Sequence, residues 1–514
     1  MRARMTAAAP GAPAPAGYFH SHFVRRDRLL MSRIGDCGPT AARWFGTGPH
    51  RERGGRFARR AVARVAGWAA AALLGGCATY HALPLASAPN LSPRLSGLRT
   101  EVPALRAGAA ARRIGLDEPL SIDDIGMLAV LNDPALRSER GYLGLAQAAL
   151  LQATLLPNPL ASVTFEPLLS HGVSPSWSAS LTEDVGAILT YHTRVKSARF
   201  ALGQVNADLL WREWQVAQQA RVLALDLYWN GRSVVLARRE VKLLDQEVRA
   251  VRSATEARVL GLPALAPLLA AQASAEQFLA TAALTQQQGW QQLDALLGLT
   301  PGVRFAIAAP VLAPVPSSLE PLIARLPERR PDLVALRLGY RSADENVRTA
   351  IIGQFPALVL GGQWDQDNTN TSNAGPTAAF GLPIFDRNQG QIAAARATRR
   401  LLHEQYQSRL DQAAGAAQAL VARIRRLNLD VGRARREART ADSFSRAARR
   451  AYSEDNLDSR SLVDYETTAL RRRIEANTLE LSLGEAHIAL TVDLGLGLPR
   501  ARIALPAHPR TFAE

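Results

Sequence analysis

Two cysteines, Cys37 and Cys77, are all that 514 residues contain. Neither a disulfide framework nor a cysteine metal cluster is therefore available. Aromatic residues make up only 6%, while alanine, leucine, arginine and glutamine abound, a mixture that favours long helices. Catalytic constellations are missing. HEQY at 403–406 lacks the second histidine of a zinc-binding helix, GLGLP at 495–499 has no phosphate-holding lysine after it, and no G-x-S-x-G stretch occurs. We expect no enzyme activity and no cofactor or metal. Long apolar runs are absent too: VAGWAAAALLG at 65–75 has 11 residues, too few to span a bilayer as a helix.

Charge is plentiful but uneven. The net charge is +16, yet residues 1–76 hold 13 arginines against 3 acidic side chains, which is +10 of it. The remaining 438 residues carry only +6, too dilute to imply a nucleic-acid partner. The basic signal belongs to a leader. Arg56, Arg59, Arg60 and Arg64 precede the 11-residue apolar run, as in a signal sequence. LLGGC then resembles a bacterial lipobox, which implies a lipidated Cys77 and, with Ala78 after it, sorting to the outer membrane. Residues 1–76 are read as leader and signal, and 77–120 as a lipid-anchored linker.

Proline is unevenly spread, and its gaps reveal a duplication. DPAL at 133–136 answers to RPDL at 330–333, with Pro134 and Pro331 197 residues apart. LLPNPL (155–160) answers to QFPALV (354–359), SASLTEDVG (178–186) to AFGLPIFDRNQG (379–390), and DALLGLTPG (294–302) to VDLGLGLP (492–499). A period near 200 is too long for a solenoid unit, so each copy is a structural half: 121–300 and 319–498, joined by a linker at 301–318, with a tail at 499–514. Each half reads as a helix, two strands, a very long helix, a turn and a shorter helix. The strands are expected at 161–170 and 174–183, then at 357–366 and 375–384. Ten residues is the length of a tilted transmembrane strand. A soluble hairpin has the same length.

No proline interrupts 185–260 or 388–455, and some 70 helical residues reach about 100 Å. Apolar positions recur at spacings of 3 and 4: Val241, Leu244, Val248, Val251 in one half, and Leu420, Ile424, Leu427, Val431, Ala434, Ala438, Ala441 in the other. That rhythm specifies a left-handed supercoil seam. A half-length helix is expected at 319–355.

The stretches RRPDLVALRLGYRSADENVRTA, QFPALVL, GLPIFDRNQGQIAAAR and LVDYETTALRRRIEANTLELSLGEAHIAL resemble the TolC-type outer-membrane efflux ducts. They are most similar to the lipoprotein members that serve RND pumps, over residues 120–498. FDRNQG resembles the ducts paired with heavy-metal pumps. The resemblance implies a mainly α protein with a membrane β-barrel. Three copies would close a twelve-stranded barrel continuous with a periplasmic α-barrel. It further implies a homotrimer working with a periplasmic membrane-fusion adaptor and an inner-membrane RND pump, and passing heavy-metal cations. Drugs or other small molecules are the alternative cargo. A periplasmic coiled-coil adaptor is the alternative protein, but it would carry a lipoyl-like domain and one hairpin.

By the same resemblance the helix tips hold the adaptor contacts, at Gly261 and Leu262 and at Asn456 and Leu457. The aperture gate lies beside the second tip, with Asp455, Asp458, Arg460 and Asp464 as candidates and Arg460 as the expected partner of Asp464. The second tip departs from the family in placing Asn456 where a left-handed glycine is usual, whereas the first keeps Gly261. A solvated helix end explains the three carboxylates equally well.

Overall fold

The computed structural model describes residues 80–102, 112–167, 174–355 and 358–497. Two units separate, Met1–Ser87 and Ala88–Glu514. Of the first, only 80–87 is described, as exposed irregular chain, and Cys77 lies outside the described residues. The helices and strands that follow belong to the second unit.

Capping residues and prolines set where its helices begin. Ser121 accepts a hydrogen bond from the Asp124 amide and starts α1, Ile122–Asn132. Asp133 accepts from the amides of Ala135 and Leu136 and starts the short helix Pro134–Glu139, with proline at its first position, where a missing N–H costs nothing. Helix α2, Gly141–Thr154, follows. In the second half the single helix expected at 319–355 is instead three pieces: Glu320–Ile323, Leu326–Arg329 and α5, Pro331–Ile352. Pro327 and Pro331 lack the amides that a continuous helix would need there.

Four strands form one antiparallel sheet: β1, Leu160–Glu166; β2, Ser176–Asp184; β3, Leu358–Gln366; and β4, Ser372–Phe380. Their order is β1-β2-β3-β4. All four expected strands exist. The last begins and ends earlier than expected, and it carries Pro376 as an edge strand of the sheet among the described residues, a place where proline is found. The β2–β3 pairing joins the two halves, with Thr182 opposite Gly361. A side chain at Gly361 would collide with the Leu181 carbonyl and lie 2.9 Å from Thr182 Cα, so only glycine permits that approach.

From the sheet each half runs into a long helix. Helix α3, Val185–Glu256, has 72 residues and is capped by Asp184, whose carboxylate accepts from the Gly186 amide. Helix α6, Gln389–Ser453, has 65. They extend about 110 and 100 Å. The return helices are α4, Leu265–Leu297, and α7, Ser459–Asp493. Gly298 (φ 67°) and Gly495 (φ 59°) terminate them in the left-handed conformation, 197 residues apart. The expected seam is present: Leu244, Val248 and Val251 are buried in α3, as are Ile424, Val431, Ala434 and Ala438 in α6. The largest core gathers Ile125 and Leu128 of α1, Leu225 of α3, and Leu293 and Leu297 of α4.

Candidate functional site

The pleat sorts the sheet into two unlike faces. Residues paired across strands share a face, and the register puts Ala161, Val163 and Phe165 with Trp177, Ala179 and Leu181. Continuing across the next two strands, Leu360 and Trp364 and then Ala374, Ala378 and Phe380 lie on that side. This apolar face is open: Val163 is 71% and Leu181 58% exposed. Phe165 and Trp177 pack against each other on it, ring centroids 4.4 Å apart and planes tilted by 45°. The opposite face carries Ser162, Thr164, Ser178, Ser180, Thr182, Gln363, Asp365 and Asn373. There the Ser162 and Ser180 hydroxyls bond at 2.9 Å. Both edge strands, β1 and β4, lack a second neighbour among the described residues. One chain thus supplies an open four-stranded sheet, and no closed barrel exists among the described residues.

At the helix tips the structure corrects the placement of the left-handed residues. Asp455 (φ 58°) occupies that position at the second tip, and Arg258 (φ 59°) at the first. Gly261 has φ −84° and ψ 152°, a conformation open to any residue. The reason is the hydrogen bonding of the helix end. The Asn456 amide reaches back to the Ala451 carbonyl (2.8 Å) and the Asp455 amide to Tyr452 (3.1 Å), while Val259 reaches Ala254 (2.8 Å) and Arg258 reaches Thr255 (3.0 Å). Such a closure places the left-handed residue immediately before the amide that reaches five residues back, Asn456 at one tip and Val259 at the other. Leu262 is 73% exposed, Gly261 and Asn456 are exposed, and Leu457 is half-buried.

Asp458 caps α7, its carboxylate accepting from the Ser461 amide (2.9 Å) and hydroxyl (2.7 Å). Those bonds hold its carboxyl below the ordinary range. Asp455, Arg460 and Asp464 are exposed. Among the described residues Arg460 and Asp464 form no ion pair, contrary to expectation. They stand four apart on α7 with the base first, the weaker orientation. Asp464 instead lines a groove between α6 and α7 of about 650 Å³, with Arg436, Phe444, Tyr465 and Arg472.

Several polar anchors escaped the sequence reading. Arg330 is buried: Nε and Nη2 donate to the two Asp332 oxygens (3.0 and 2.7 Å). Its Nη1 donates to the Asp493 carbonyl (3.2 Å), and its guanidinium sits 4.9 Å from the Trp211 ring centroid. The start of α5, the end of α7 and the middle of α3 are tied at this point. Burial raises the Asp493 carboxyl against the opposing pull of Arg330. Midway along α3 burial, aided by the Glu485 charge, pushes Asp226 up to about 7. Nearer the tips, the buried Glu240 pairs with Arg471, and the buried Glu247 accepts from the Ser459 hydroxyl at 2.6 Å. Glutamates seven apart within an apolar seam were the available signal. The FDRNQG stretch makes a turn. Asn388 (φ 61°) donates to the Ala350 carbonyl at 2.8 Å, closing the end of α5.

No protein-family model matches the chain. A cobalt-zinc-cadmium resistance protein, CzcC, of Cupriavidus metallidurans is 27% identical over 296 residues. The match covers 54% of this chain and 66% of that protein, just under two thirds of its length. Among solved structures, the open state of the Neisseria gonorrhoeae MtrE outer-membrane channel superposes with a TM-score of 0.61 at 18% identity, over 74% of this chain and 90% of that one. CusC, a structure described in terms of transmembrane channel formation, superposes with a TM-score of 0.60 at 16% identity, over 73% and 92%. By fold the chain is thus similar to solved outer-membrane channel structures, and over part of its length its sequence is similar to CzcC.

Proposed function

We propose that the chain is one third of a passive outer-membrane duct in a tripartite RND-type efflux system. Three copies close their sheets edge to edge into a twelve-stranded barrel, and the helical hairpins continue it through the periplasm. The observation that carries this reading is the two-faced sheet. An apolar face with aromatic rings suits lipid, a face of serine, threonine and acidic or amide groups suits water, and unpaired edges cannot stand in a bilayer. The adaptor reading fits poorly, since two hairpins and a shared sheet have no place in it. For cargo we favour heavy-metal cations, supported by the CzcC match; drugs or other small molecules are the second reading.

The mature N-terminus is held at the outer membrane of a Gram-negative cell by lipid on Cys77. Radiolabelled palmitate should enter the wild type and not the Cys77→Ala protein; label persisting in that variant would refute the anchor. The tips at Gly261–Leu262 and Asn456–Leu457 meet the periplasmic adaptor, which couples the duct to its pump. Beside the second tip, Asp455, Asp458, Arg460 and Asp464 form the aperture. Carboxylates brought together by threefold symmetry repel one another and attract cations. In planar bilayers the wild type should form water-filled channels, and Asp464→Ala should change their conductance or their block by multivalent cations. An assembled protein that conducts nothing would refute the duct. Conductance and block equal to wild type in the variant would remove Asp464 from the gate.

A further inference from the structure

The two long helices differ sharply in charge, although the halves are duplicates. Helix α6 carries fourteen arginines against five acidic side chains, +9 in 65 residues. Helix α3 holds eleven basic and seven acidic side chains, +4 in 72. Much of the α6 excess has no counter-charge. Arg425, Arg436, Arg439, Arg446 and Arg450 are all exposed, and among the described residues none of their side chains takes part in an ion pair. Counted from Arg425 they fall at steps of 11, 3, 7 and 4, which at 3.6 residues per turn confines them to one face over about 37 Å. The buried positions of the same stretch, Val431, Ala434, Ala438, Ser445 and Ala448, lie on another side of the helix. The stripe therefore lies away from the buried seam, with Arg436 and Arg439 at the rims of the grooves that α6 forms with its own chain.

A second copy of the chain makes a poor occupant for this face. Helix α4 contains no lysine or arginine but only two acidic residues, Glu276 and Asp294, and Asp294 is buried. It would bring one exposed carboxylate to a row of five guanidinium groups. Helix α3, being net basic, would repel them. Uncompensated like charges on a rigid rod cost self-repulsion, which a partner of opposite sign relieves. Guanidinium groups also bind carboxylates through paired donors.

We infer that the arginine stripe Arg425–Arg450 on α6 is a docking surface for an acidic polypeptide, one that presents carboxylates along a comparable length. This surface is distinct from the tip turns, and the inference stands whether or not the protein is a duct. Electrostatic steering of this kind mainly raises the association rate and is weakened by salt.

The probe is fluorescently labelled poly-L-glutamate of about 50 residues, titrated onto the full chain in detergent at low ionic strength. Combined Arg436→Gln, Arg439→Gln, Arg446→Gln and Arg450→Gln should weaken binding at least tenfold, equivalent to about 1.4 kcal/mol. A charge-matched control, Arg238→Gln, Arg239→Gln, Lys242→Gln and Arg252→Gln on α3, should lose less than about threefold, a difference within what rim charges contribute. Lysine at the same four α6 positions should keep most of the affinity, which separates lost charge from lost fold. Equal losses in the two glutamine variants would reduce the effect to net charge and overturn the inference. Unchanged binding in the α6 variant, or a changed oligomeric mass assigning the stripe to contacts between copies, would overturn it too.

Discussion

Replacing Arg330 by alanine should destabilise the protein by about 3–5 kcal/mol, the cost of leaving one member of a buried ion pair alone. The side chains of Arg330 and Asp332 are only 4% and 8% exposed. Without the guanidinium, Asp332 would keep a distant contact to Arg409 at 3.6 Å and its own bond from the Leu333 amide. The Asp493 carbonyl would lose its side-chain donor, and Trp211 its stacked cation. Arg330→Lys should recover only part of the loss, because an ammonium cannot serve both Asp332 oxygens and the Asp493 carbonyl in the planar geometry seen here. Urea unfolding followed by the helical circular dichroism signal measures this. A change under about 1 kcal/mol for the alanine variant would mean that the three helices do not depend on the anchor.

Arginine placed on either face of the sheet should have opposite consequences. Leu181 and Ser178 both lie on β2, but the pleat sends them to opposite faces. Arginine at 181 would face lipid, at a cost of about 2–4 kcal/mol near the bilayer centre, so Leu181→Arg should deplete the assembled protein in outer-membrane fractions. Arginine at 178 would face water beside Thr164 and Asp365. Ser178→Arg should therefore assemble normally and shift the ion selectivity of reconstituted channels. If both variants assemble alike, the apolar face does not meet lipid.

Much of this architecture is legible in the sequence because it rests on local rules. Proline at 134 and 331 opens a helix in each half, and the offset of 197 recurs at Arg258 and Asp455 and again at Gly298 and Gly495. The missing prolines mark α3 and α6, and the 3-and-4 spacing marks their buried seam. Readings that needed hydrogen-bond partners fared worse. Nothing local distinguishes Asp455 from Asn456 as the left-handed residue until the helix end is known. Arg330 stands in a recognisable motif, but its partners Asp493 and Trp211 are more than 100 residues away. The pairing expected of Arg460 with Asp464 does not form. Asp458, proposed for the gate, also caps α7 through Ser461, a bond that the sequence reading did not include.

The twelve-stranded barrel lies beyond one chain, since four strands are too few to enclose water and the described sheet has two open edges. Native mass spectrometry of the protein released from detergent should show a dominant species of three chains. A monomer or dimer as the sole stable form would contradict it.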